Sequence, residues 1–315
     1  MKRFLVIAVI VNLLFIGITG RRGGPPRRVE NPQDFSLPGG SKVEFRLFDS
    51  PSLGRESNYS VFLPPSYSSG TQQYPVIYFL HGMWNNHTSW TVERYGNLPG
   101  HLEQLMTEGT LKEFIAVHPD GENSFYTDFL DGSLKFEQMV SKDLVEEIES
   151  KFRVKSGRQN RSIGGVSMGG YGAIKISLKH PDEYASVAGL SPIVLLGKDP
   201  SQQIMNSSSR LGEYLSSALK PVYGMPFDLD HWQQNSLTHL AKTAEPNGLK
   251  IFFGWGTADR YNDLFPMEMG VRALDRILSD RSIDHTFKVY ENGPHGWELI
   301  NENLEEVLLF LTQTF

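Results

Sequence analysis

The sequence predicts an α/β fold: a mostly parallel central sheet with helices on both faces and a small cap inserted late in the chain. Three observations predict it. A continuous apolar run at residues 75–80 suits a strand buried on both faces, residues 114–118 read as another buried strand and 249–254 as a further one, and amphipathic stretches of helical period separate such strands. A strand-like run, residues 162–166, passes straight into a serine between glycines and then into a helical pattern, residues 171–178. The 315 residues carry 39% hydrophobic and 21% charged side chains, an ordinary globular composition that suits one large α/β domain.

The opening of the chain is read separately. Lys2 and Arg3 precede an almost unbroken apolar run, residues 4–18, and small residues Gly17, Thr19 and Gly20 follow, so residues 1–20 are expected to be an export signal. The run is also near the lower length limit for a membrane span, so an uncleaved anchor is the alternative and the one expected membrane contact. Either way the expected location is secreted or periplasmic. Residues 21–41, rich in Pro, Gly and Arg, are expected to be a linker, and residues 42–315 the catalytic domain. The formal net charge of −6 offers no basic field for nucleic acid. The absence of cysteine excludes disulfides, thiolate metal sites and a cysteine nucleophile.

Taken in order, residues 43–48 alternate apolar and charged side chains, and residues 58–63 form a second strand after the turn residues Pro51 and Gly54, an antiparallel pair at a sheet edge. Residues 75–80 are a central strand that ends in His81-Gly82-Met83-Trp84. His81 and His87 lack a glutamate at H-E-x-x-H spacing, so no metal is expected and His81 is read as a structural hydrogen-bonding residue. The strand at 114–118 opens into a loop containing Asn123 and Tyr126. Residues 136–153 place Val140, Leu144, Ile148 and Phe152 on one helix face, with Glu146, Glu147 and Glu149 on a solvated one. After a strand at 185–190, residues 198–248 are less regular and are expected to form a cap-like insertion. Strands at 249–254 and 286–290, a helix at 265–278 and a final helix at 297–311 complete the domain.

The chemistry sits at Gly165-Val166-Ser167-Met168-Gly169. A serine on a sharp strand-to-helix turn tolerates only small neighbours, and the helix behind it aims N–H groups at developing negative charge. Asp259 and His295 each follow a predicted strand, so Ser167, Asp259 and His295 are expected to converge in the chain order of α/β hydrolases, with Asp263 the fallback acid. The expected oxyanion donors are the backbone N–H groups of Met168 and Met83, with Trp84 an alternative to Met83. Trp84, Tyr126 and Trp232 are candidate substrate-binding aromatics.

These stretches resemble the esterase D family of α/β hydrolases, which includes S-formylglutathione hydrolases, tributyrin-type and feruloyl esterases, and mycolyltransferases. The resemblance is carried by residues 50–56 with 61–65, Leu80-His81-Gly82-Met83, residues 123–128, residues 165–172, Gly256-Thr257-Ala258-Asp259 and His295-Gly296-Trp297. It implies an α/β-hydrolase fold, a serine carboxylesterase needing no cofactor, and the same triad. S-formylglutathione hydrolases are cytoplasmic and usually carry a cysteine near the oxyanion loop, whereas this chain has none. Mycolyltransferases typically replace the glycine after the Ser-Met pair, which here is Gly169. The expected substrate is therefore a small-molecule or polysaccharide-linked ester bearing an acyl or feruloyl group. Transfer of the acyl group to a sugar hydroxyl is the alternative, and a non-catalytic binding protein on the same scaffold the remote one.

Overall fold

The computed structural model describes residues 32–207, 209–262 and 266–315. The expected export signal lies outside the described residues. Among the described residues nine strands form one sheet: β1 (Phe35–Ser36), β2 (Lys42–Ser50), β3 (Arg55–Leu63), β4 (Val76–Leu80), β5 (Ile115–Pro119), β6 (Arg161–Val166), β7 (Ser186–Leu190), β8 (Lys250–Gly256) and β9 (His285–Tyr290). Their spatial order is β1-β2-β3-β5-β4-β6-β7-β8-β9. The first pairings, from β1 to β5, are antiparallel, and every pairing from β5 through β9 is parallel. This is the α/β-hydrolase architecture, and it puts the carboxyl ends of β4, β6, β8 and β9 on one side of the sheet.

Period-two alternation distributes the central strands between two cores. Tyr78 and Leu80 of β4 face one core, with Ile148 of α3 (Leu144–Lys151), Ile174 of α4 (Met168–Lys179) and Leu274 of α9 (Met267–Asp280). Ile77 and Phe79 face the other, with Leu102 of α1 (Leu98–Thr107) and Leu308 and Leu311 of α10 (Trp297–Thr312). Burial on both faces explains why β4 reads as an unbroken apolar run.

Three expectations need correction. The folded part starts before residue 42: β1 pairs with β2, Phe45 N–H donates to Asp34 Oδ1 at 2.8 Å, and Gly39 and Ser41 N–H donate to the Glu103 carboxylate at 2.7 and 2.9 Å. The segment reads as linker because Glu103 lies more than sixty residues away. The acidic face at 146–149 is not merely solvated, since Tyr59 Oη donates to Glu147 at 3.2 Å and Arg161 donates to Glu149 at 2.7 Å.

The insertion at 198–248 is also more regular than its composition suggests. It folds as α5 (Ser201–Met205), α6 (Arg210–Tyr223), α7 (Leu229–Asn235) and α8 (Leu237–Thr243) between β7 and β8. Side-chain caps start two of these: Ser209 Oγ accepts Gly212 N–H at 3.0 Å, and Asp228 accepts His231 N–H at 2.8 Å. The remaining helix, α2 (Phe136–Gln138), leads into α3 through a π-helical turn, residues Met139–Asp143. Among the described residues no helix is long and apolar enough to cross a membrane.

Candidate active site

β6 delivers Ser167 at its carboxyl end, and α4 begins at the next residue. Ser167 has φ 56° and ψ −116°, a strained backbone for a residue with a side chain. The flanking glycines are required by contact. A Cβ on Gly165 would overlap the Gly169 backbone, and one on Gly169 would overlap the backbone at Leu80. Such close approach is what turns the chain sharply enough to expose the hydroxyl.

β8 and β9 bring in the other two members. His295 Nε2 lies 2.9 Å from Ser167 Oγ, and His295 Nδ1 lies 2.7 Å from Asp259 Oδ2. The Asp259 side chain is fully buried, and its other oxygen accepts Tyr261 N–H at 2.9 Å. The Tyr261 ring meets the imidazole edge-on with centroids 4.5 Å apart, so His295 is held by a carboxylate on one side and a ring on another. Gly296, at φ 87°, turns the chain from His295 into α10. Ser167, Asp259 and His295 therefore meet as expected from the sequence. Asp263 lies outside the described residues.

The His81–Trp84 loop packs directly against the serine: a Cβ on Gly82 would stand 3.5 Å from Ser167 Cβ. Trp84 is excluded as the alternative oxyanion donor, because its N–H is taken by Asn123 Oδ1 at 2.8 Å. Its φ of 65° is the backbone cost of that arrangement. Met83 remains the candidate donor on this loop. Met168 is the first residue of α4, where N–H groups have no intrahelical acceptor. His81 anchors the loop from below, with Nε2 accepting Gly121 N–H at 3.0 Å and Nδ1 donating to Gly82 O at 2.8 Å.

A cavity of about 240 Å³ opens beside Ser167 and His295. Trp84, a candidate substrate-binding aromatic, lines it. Tyr126 and Trp232 do not. Tyr126 is fully buried beneath the site with its hydroxyl donating to His81 O at 3.2 Å. Trp232 is buried in the cap against Tyr223 and Phe227, with ring centroids 5.2 and 5.4 Å away. Both are packing residues. Beside the rings of Trp84, Tyr95, Phe125, Tyr261 and Trp297, the cavity has an aliphatic side, made by Ile193 and Leu195 after β7 and by Ile204, Leu211, Leu215 and Leu219 of the cap. The last three stand at i, i+4 and i+8, a spacing visible in the sequence.

A charged cluster under α4 has no counterpart in the expectations. Lys175 is fully buried and donates to Tyr126 O, Thr127 Oγ1 and Glu137 Oε2 at 2.7, 2.9 and 2.8 Å. Lys179 and His180 also meet Glu137, at 2.9 and 3.0 Å. Burial pulls the Lys175 ammonium down to about 8, with Glu137 opposing the shift. Burial alone would raise the Glu137 carboxyl, but Lys175, His180 and Lys179 together hold it well below the usual range. Tyr171 Oη donates to Asn235 O at 2.7 Å and meets Tyr223 Oη at 2.6 Å, so α4 is tied to the cap as well.

The Esterase family model matches residues 50–311, most of the chain. The chain belongs to the Esterase family. As a member it is a carboxylic ester hydrolase. A stretch of 147 residues is 33% identical to an endo-1,4-beta-xylanase/feruloyl esterase of Xylanibacter ruminicola, covering 44% of this esterase but only 20% of that relative. An acetyl esterase of Caldicellulosiruptor saccharolyticus is 25% identical over 243 residues, 76% of this esterase and 83% of the relative. A solved ferulic acid esterase superposes with a TM-score of 0.69 at 25% identity, covering 87% of this esterase and 99% of that chain.

Proposed function

We propose that this esterase is a serine carboxylesterase acting through an acyl-enzyme on Ser167, with His295 and Asp259 completing the triad. The observation that carries the proposal is the pair of hydrogen bonds, Ser167–His295 at 2.9 Å and His295–Asp259 at 2.7 Å, in a buried site beside an open cavity. His295 Nε2 removes the Ser167 proton as Oγ attacks the acyl carbonyl, and Asp259 stabilises the resulting imidazolium. The N–H groups of Met83 and Met168 receive the oxyanion, roughly 3 kcal/mol of transition-state stabilisation for each donor. The imidazolium returns its proton to the departing alcohol. Water, deprotonated by the same nitrogen, then releases the acid and restores Ser167.

The printed activities of the relatives support an acyl or feruloyl ester as substrate and a small molecule or polysaccharide as its alcohol half. Export through residues 1–20 suits such a substrate. Hydrolysis of p-nitrophenyl esters by the wild type, abolished in both Ser167→Ala and His295→Ala, is the expected result. A folded Ser167→Ala protein that retains wild-type turnover would refute the mechanism. Adding a sugar acceptor to the same assay separates hydrolysis from acyl transfer, because transfer diverts product from free acid to a new ester.

A further inference from the structure

We propose that the acyl group this site takes is an unbranched aliphatic chain of about six to eight carbons, lying along the leucine stripe of α6. The proposal rests on the esterase reading above and names the acyl half of its substrate. Leu211, Leu215 and Leu219 all line the cavity, and their exposure falls from intermediate at Leu211 through 7% to 1%. A helix rises about 1.5 Å per residue, so the stripe runs for about 12 Å. An extended chain advances about 1.2 Å per bond, so a chain of six to eight carbons covers about 6–8 Å and lies wholly along that wall. The cavity volume gives a similar length. An apolar cavity of about 150 Å³ takes a benzene ring, and at that ratio about 240 Å³ takes roughly nine or ten bonded heavy atoms, the size of an octanoyl group.

The aliphatic side of the wall favours an alkyl chain over a hydroxycinnamoyl group. A feruloyl group brings about thirteen heavy atoms, more than that volume holds at the same packing. It also brings a phenol and a methoxy oxygen that require partners when buried. Ile193, Leu195, Ile204 and Met267 offer none. Of the polar groups on the wall, Asn85 Nδ2 donates to Met83 O at 3.0 Å and an Arg260 Nη donates to Tyr261 Oη at 3.2 Å, while the buried Asn85 Oδ1 is the acceptor left without a partner. Trp84, which meets Tyr214 of α6 with centroids 6.0 Å apart, joins the oxyanion loop to the same cap helix, so acyl pocket and reacting centre share one wall.

The test is kcat/KM for p-nitrophenyl acetate, butyrate, hexanoate, octanoate and dodecanoate, with methyl octanoate against methyl ferulate. The wild type is expected to gain about threefold to fourfold per methylene from acetate towards octanoate and to lose activity at dodecanoate. Methyl octanoate is expected to exceed methyl ferulate at least tenfold. Leu219→Phe, which fills the deep end, is expected to move the optimum towards butyrate. A profile that peaks at acetate, or methyl ferulate outrunning methyl octanoate, overturns the proposal and leaves the esterase intact. Titration of Ser167→Ala with methyl octanoate, methyl butyrate and methyl ferulate reads the pocket without catalysis. Octanoate is expected to bind at least tenfold more tightly than either competitor, and equal or weaker binding overturns the proposal even where Leu219→Phe fails to fold. Absence of turnover by folded wild type on every ester would instead count against the esterase mechanism.

Discussion

Replacing Asp259 by Asn changes one atom and reverses the direction of one hydrogen bond. In the wild type, Asp259 Oδ1 accepts Tyr261 N–H at 2.9 Å while Oδ2 faces His295 Nδ1 at 2.7 Å. The Asn amide oxygen keeps the Tyr261 N–H, because turning the amide would set two donors against each other in a fully buried place. Its NH₂ therefore points at His295 Nδ1, which must become an acceptor. The ring proton moves to Nε2, 2.9 Å from Ser167 Oγ, where a base is needed. Loss of the correct tautomer in such triads lowers kcat by about 10⁴-fold, or about 5 kcal/mol of barrier. The assay is steady-state hydrolysis of p-nitrophenyl butyrate at neutral pH, with circular dichroism confirming the fold. A loss below tenfold in a folded Asp259→Asn protein would refute the assignment of the acid and the tautomer logic together.

Other perturbations have distinct readouts. Asn123→Ala releases the Trp84 N–H from its acceptor and loosens the loop that carries Met83; kcat should fall about tenfold, the value of one hydrogen bond, with KM little changed, and an unaltered kcat would show the loop is held by other contacts. Glu137→Gln leaves Lys175 buried without its counterion, so urea unfolding at pH 7 should show a loss of about 3–5 kcal/mol. Because the folded-state pKa of Glu137 lies below its usual value, its contribution is complete above about pH 4.5 and declines as pH falls through the folded value. Thermal melts from pH 6 down to pH 3 should therefore fall less steeply for Glu137→Gln than for wild type. Trp232→Ala empties a buried place in the cap and should cost about 3–5 kcal/mol. Trp84→Ala, at the cavity wall, should instead alter KM and leave the melting temperature nearly unchanged.

The elbow and the meeting of Ser167, Asp259 and His295 were legible because backbone geometry dictates their sequence. Only glycine fits where Gly165 and Gly169 meet neighbouring backbone, and strand ends must carry whatever converges above the sheet. The central strands were legible because burial on both faces removes polar residues from them. Tyr126 and Trp232 were misassigned because aromatic composition is silent about which side of a wall a ring occupies. Lys175 looks like any helix-surface lysine until Glu137, 38 residues earlier, is folded onto it. β1 and the turn after it were hidden for the same reason, β1 being paired by β2 and the turn being held by Glu103 through Gly39 and Ser41. The cap helices lacked a strong apolar signal at their start. The Leu211, Leu215 and Leu219 stripe was present in the sequence, but only the fold shows that it lines the cavity beside the serine as well as packing into the core.

The central claim is covalent catalysis at Ser167, and its most direct test is to trap the adduct. The full-length protein would be treated with a p-nitrophenyl alkylphosphonate, digested, and its peptides weighed by mass spectrometry. The account predicts one phosphonyl group per chain, located on Ser167, with inactivation proportional to labelling and no labelling in Ser167→Ala. Labelling of a different residue, or full esterase activity in protein labelled at Ser167, would contradict it.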